Sequence, residues 1–93
     1  MKTIDDIKAL LAANDNQQAA ESADALINNT TDSDTIATAY YLRGLAMQRQ
    51  GRVREALNCF LEAMELQPDG PAAQAYRMQQ TILDFYDHDL YNP

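Results

Sequence analysis

The sequence is poor in the residues from which catalytic and metal centres are usually assembled. It has one cysteine, one histidine and no tryptophan. Its three glycines stand apart at Gly44, Gly51 and Gly70, so no glycine-rich loop is available to cradle a phosphate, and no serine-centred elbow motif occurs. A single cysteine cannot close an internal disulfide, and a reducing, cytoplasmic setting is expected. Basic residues are scarce: 7 stand against 14 acidic ones, for a net charge of −7. Nucleic-acid phosphates and anionic bilayers both demand a basic surface, so neither is expected as a partner. No apolar run approaches the ~18 residues or more of a membrane span. The start, Met1-Lys-Thr-Ile-Asp-Asp, puts two acids where a signal peptide needs an apolar stretch.

What is present is helical periodicity. Ninety-three residues allow one domain with a modest core, and the apolar content, 46%, is enough for folding. Five helices and no strand are expected. The first runs from about Ile4 to Ala13, with Ile4, Ile7 and Leu11 on one face and Thr3 with Asp6 as a capping box. After the turn Asn14–Asn16, the second spans about Gln17 to Asn28 with Ala19, Ala20, Ala23, Leu26 and Ile27 inward. The polar run Asn29–Asp34 reads as a loop in which Ser33 or Asp34 caps a third helix over Thr35–Gln50. Gly51 is the natural left-handed stop to that helix. A fourth covers Val53–Leu66, with Val53, Ala56, Leu57, Phe60, Ala63 and Met64 inward. Pro68–Pro71 is a compact linker, and Pro71 suits the first turn of a fifth helix running from Ala72 to at least Asp84.

Chemistry-bearing residues are few. His88 lies among Asp84, Asp87 and Asp89, an acidic end with no evident partner to orient a ligand, and no metal or cofactor is expected. Cys59 beside Phe60 reads as a small buried hydrophobe rather than a nucleophile. Of the five basic residues after Lys8, four fall within twelve positions: Arg43, Arg49, Arg52 and Arg54. They read as charges balancing neighbouring acids, with a site for an acidic peptide or carboxylate as the sharper alternative, because arginine forks grip carboxylates in pairs.

One stretch, 37–70, carries a fixed spacing: Tyr40-x2-Arg43-Gly44-x2-Met47, then Ala56-x3-Phe60, then Pro68. This resembles the tetratricopeptide repeat, W-x2-L-G-x2-Y…A-x3-F…P over about 34 residues. Gly44 and Ala56 supply the small side chains that a close helix crossing requires, Phe60 the large knob, Gly51 the turn and Pro68 the stop. Tyr40 and Met47 replace the pattern's aromatics with apolar bulk. Arg43 stands where the pattern has leucine, so a polar or solvent-open contact is expected there. Sliding the first hairpin forward by 36 pairs Ile4 with Tyr40, Leu11 with Met47, Asp15 with Gly51 and Ala20 with Ala56, while Lys8 meets Gly44 and Asp24 meets Phe60. The organisation expected is a single domain over 1–93: a degenerate repeat at 1–34, a clear one at 37–70, and a capping helix at 71–88.

The resemblance implies an all-α stack of antiparallel helix hairpins in a right-handed superhelix, and a non-catalytic binding module. It also implies that the first helix of each hairpin lines a concave face. The candidate partner-binding residues are then Tyr41, Leu45, Gln48 and Arg49 on the third helix and Gln79, with Ile82 and Leu83, on the fifth. Some members hold a partner's C-terminal carboxylate with lysine and asparagine; Tyr41 and Leu45 occupy those positions here, and that clamp is not expected. The expected role is a protein- or peptide-binding adaptor. The alternative is weak self-association through the aromatic end, where Phe85 or Tyr86 is expected to be buried and Leu90 and Tyr91 add apolar surface. An enzyme or metal protein, the third possibility, has no supporting constellation.

Overall fold

The computed structural model describes the backbone of residues 2–91 and the side chains of residues 2–82. Five helices follow one another: α1 (Ile4–Ala12), α2 (Asn16–Asn29), α3 (Ser33–Arg49), α4 (Val53–Leu66) and α5 (Pro71–Tyr91). No strand occurs among the described residues, and the all-α reading holds. The proposed burial of Phe85 or Tyr86, the groove role of Leu83, and the surroundings of Asp84, Asp87, His88, Asp89, Leu90 and Tyr91 lie outside the described side chains.

Local chemistry starts and stops each helix. At α1, Thr3 Oγ1 accepts from the Asp6 amide at 3.3 Å and Asp6 accepts from the Thr3 amide at 2.9 Å, the expected capping box. The α1–α2 and α3–α4 turns are built alike. Asn14 (φ 62°) and Gly51 (φ 77°) occupy the left-handed region, which glycine and asparagine enter at least cost. Around them the same two backbone bonds close each turn. Asp15 N–H donates to Leu10 O and Arg52 N–H to Met47 O, both at 2.9 Å; Asn14 N–H donates to Leu11 O at 3.0 Å and Gly51 N–H to Gln48 O at 3.1 Å.

These equivalent atoms stand 37 positions apart, not the 36 expected from the sequence. In the corrected register Ile7 takes the place of Gly44, Ala23 that of Phe60, and Ala19 that of Ala56. The failed pairs, Lys8 with Gly44 and Asp24 with Phe60, disappear. Ile7, Ala23, Ala19, Ala56 and Phe60 are all fully buried. The first hairpin carries the large side chain on its first helix and the small one on its second; the other reverses the sizes. Either arrangement fills the crossing, and the exchange conceals the likeness in sequence.

The expected loop from Asn29 to Asp34 is also corrected. Only Thr30–Asp32 leave the helices, and the cap of α3 is Asp32 rather than Ser33 or Asp34. Its carboxylate accepts from the Thr35 amide at 3.1 Å and the Thr35 hydroxyl at 2.6 Å. Ser33–Ile36 thereby form an additional helical turn ahead of Ala37, and the extra length of the chain resides in this turn rather than in a loop.

The core joins Ile7, Leu11, Ala19, Ala20, Ala23 and Leu26 to Leu42, Ala46, Met47, Ala56, Phe60, Ala63 and Ala72. Helix α3 is the central element, packed on α2 and on α4; α1 rests on α2 and α3, and α5 rests on α4. Alanine supplies much of the interface, so the helices approach closely and burial is obtained without large side chains.

Candidate peptide-binding groove

Helices α3 and α5 flank an open hollow of about 260 Å³. Tyr41, Leu45 and Gln48 line it from α3; Pro71, Gln74, Ala75, Met78 and Ile82 line it from α5. Both sets recur every three or four residues, which keeps each on one helical face. No lining residue is charged, in a chain of net charge −7. The α5 wall is open: Met78 is 59% and Ile82 46% exposed.

Tyr41 is anchored from behind, its ring centroid 6.1 Å from that of Phe60 with the planes tilted by 41°. Gln48 reaches across and donates from Nε2 to Gln79 Oε1 at 2.6 Å. Gln79 is buried, so this amide bond satisfies a polar group that would otherwise carry a desolvation cost. Of the five candidate residues, Tyr41, Leu45 and Gln48 therefore share the hollow, and Gln79 sits below it as the partner of Gln48. Arg49 lies elsewhere: its guanidinium donates to Leu11 O at 2.7 Å and ties the end of α3 to the end of α1. The residues not anticipated are Pro71, Gln74, Ala75 and Met78. Their common face follows from the α5 period, but which face of α5 meets α3 depends on how α5 docks on α4.

The arginine cluster is dispersed among separate contacts. Arg43 Nε lies 2.7 Å from Asp24 Oδ1, and its Nη1 donates to Cys59 Sγ at 2.8 Å. That is the polar contact expected of an arginine at the leucine position. Burial pushes the Cys59 thiol up, and the adjacent Arg43 offsets this only in part. Arg52 pairs with Glu55 at 3.0 Å. Arg43, Arg49 and Arg52 thus each engage a different neighbour.

Among the described residues, no group of three or more His, Cys, Asp or Glu side chains is placed to hold a metal ion. Among them too, no helix is long and apolar enough to cross a membrane.

Comparison with known proteins agrees with the geometry. The tetratricopeptide repeat pattern matches residues 37–69. The chain is similar to protein BF1650 of Bacteroides fragilis, whose structure was determined in solution by NMR, with 36% sequence identity and a TM-score of 0.84 over 99% of this chain and 91% of that one. No curated protein sequence matches it. The chain belongs to the tetratricopeptide-repeat family, whose members are generally non-catalytic and serve in protein interaction.

Proposed function

We propose that this protein is a binding module that takes a peptide segment of a protein partner between α3 and α5. The observation that carries the reading is the uncharged, mostly apolar hollow bounded by Tyr41, Leu45, Met78 and Ile82 in an otherwise acidic molecule. Its volume, about 260 Å³, is below the ~300–1,000 Å³ of typical small-molecule sites, and it suits a few peptide side chains better than a cofactor. Aromatic and methionine side chains are also the types that anchor protein interfaces. Gln48 lines the hollow, and its amide oxygen, not used in the bond to Gln79, suits a peptide main-chain donor.

The test is selection of peptides from a random display library against the full chain, followed by retesting on Met78→Ser/Ile82→Ser. Both side chains are exposed, so the fold is left intact. Selected peptides should lose at least tenfold in affinity for the variant. Peptides that bind it equally well would exclude this groove.

A second reading, self-association, draws on the same exposed Met78 and Ile82. Sedimentation across a concentration series distinguishes it: a dimer abolished by the double variant would favour it over the adaptor.

A further inference from the structure

The geometry points to a polarity in the groove: its occupant is a peptide whose apolar side chains are preceded or followed by lysine or arginine, held at the end formed by Asp34 and Asp69. This rests on the groove reading above and names the chemistry of the partner.

Three observations carry it. First, the additional turn Ser33–Ile36 lengthens the α3 wall by one turn and places Asp34 on it. Positions 34, 38, 41, 45 and 48 follow one face of a helix, so Asp34 continues the strip that ends in the hollow. Second, this end is physically continuous with the hollow. Tyr41 and Pro71 line the hollow and also a small cleft shared with Gln67, and Gln67 Nε2 donates to Asp34 Oδ1 at 2.9 Å. Asp69, exposed, lies two residues before Pro71 and lines a shallow hollow together with Gln67, the same side chain that donates to Asp34. Third, among the described residues neither carboxylate meets a cation; the ion pairs there are Arg43–Asp24 and Arg52–Glu55. The positive end of a helix supplies only about half a unit of charge, so each carboxylate keeps a net negative field.

Opposing charge is missing from the groove itself. Arg43, Arg49 and Arg52 are directed to Asp24, Leu11 O and Glu55. An acidic peptide would meet two uncompensated carboxylates and a chain of net −7, whereas a basic flank would be attracted to both. The apolar middle supplies the burial; the carboxylates select the sequence beside it and the direction in which it lies.

The same display selection decides the point. Enriched peptides should carry two or more apolar side chains and a lysine or arginine at one end. A synthetic peptide of that kind should bind roughly three- to thirtyfold tighter than its copy with the basic residues changed to glutamate, the range expected for two exposed ion pairs. Asp34→Asn/Asp69→Asn should reduce that ratio towards one, and asparagine at 34 can still accept from Gln67. Salt should weaken the basic peptide more than the acidic copy. Enrichment of neutral or acidic peptides, or a ratio unchanged by the double variant, would overturn the inference while leaving the groove reading intact. Peptides insensitive to Met78→Ser/Ile82→Ser would instead remove the groove reading itself.

Discussion

The ring of Phe60 occupies the space in which a side chain at Gly44 would begin. A Cβ added to Gly44 would stand 2.4 Å from Phe60 Cε1 and 2.7 Å from Cδ1. Phe60 is fully buried and also supports Tyr41, so the ring has no room to withdraw. Glycine here serves proximity between helices, in contrast to Gly51, whose role is its left-handed backbone.

Replacing Gly44 with alanine should therefore destabilise the protein. Overpacking costs about 1–3 kcal/mol, and the closeness of the buried ring puts this site in the upper part of that range, above the roughly 1 kcal/mol regained from helix propensity. Thermal melts should show a net loss of several degrees. Adding Phe60→Leu to that variant should recover part of it, because the shorter side chain vacates the contested volume. An unchanged midpoint for Gly44→Ala would contradict the packing.

The two hairpins differ at one cap. Asp15 (φ −91°, ψ 70°) and Arg52 (φ −91°, ψ 72°) have the same backbone, yet only Asp15 accepts a hydrogen bond, from the Gln18 amide at 3.4 Å. Arg52 offers no side-chain cap. Arg52→Asp should install one at α4, with Glu55 three positions on able to complete a capping box. The exposed Arg52–Glu55 pair that is lost contributes little. A gain of about 0.5–1 kcal/mol is expected; a lower melting temperature would show that the pair matters more than the cap.

Arg43 stands where the repeat pattern has leucine. Arg43→Leu should be nearly neutral, within about 1 kcal/mol, because apolar replacement of a partly buried ion pair removes its desolvation cost, and Asp24 remains half-exposed to water. Arg43→Ala should cost more, since the buried stem of the side chain is lost too. Denaturant titration of both variants checks the order; equal losses would show that the charge, not the stem, is what matters.

Acid should destabilise the fold through its caps. Hydrogen bonds from the Thr3 amide and hydroxyl hold Asp6 below its ordinary value, and those from the Thr35 hydroxyl and amide do the same for Asp32. Their folded pKa values lie below the unfolded ones. The stabilisation is therefore fully present above about pH 4 and is lost as pH falls through the depressed values. Asp32→Asn keeps a good capping side chain without the titration, so its melting temperature should match the parent at neutral pH and fall less steeply below pH 4. Parallel acid limbs would remove Asp32 from the account.

Helix positions were legible because their signals are local. Thr3 with Asp6, Gly51 after Arg49, Pro71 at the head of α5 and the period of Ala56, Phe60 and Ala63 each involve residues within one or two turns. The α3 boundary was misjudged where three consecutive residues, Asp32, Ser33 and Asp34, could all cap; hydrogen bonds from Thr35 select the first.

The sequence by itself determined five helices, their turns, and the resemblance carried by Gly44, Ala56 and Phe60, because helical periodicity and capping are properties of neighbours along the chain. Tertiary structure decided everything that depends on which helix faces which. It turned Arg49 to Leu11 O and Arg43 to Asp24 and Cys59. It set Gln48 against Gln79 and gathered Tyr41, Leu45, Met78 and Ile82 around one hollow. It also set the register in which Ile7 and Ala23 of the first hairpin answer to Gly44 and Phe60 of the second. The physical reason is that a crossing constrains the summed volume of two side chains from different helices, and a reading of either helix alone cannot determine how that volume is divided.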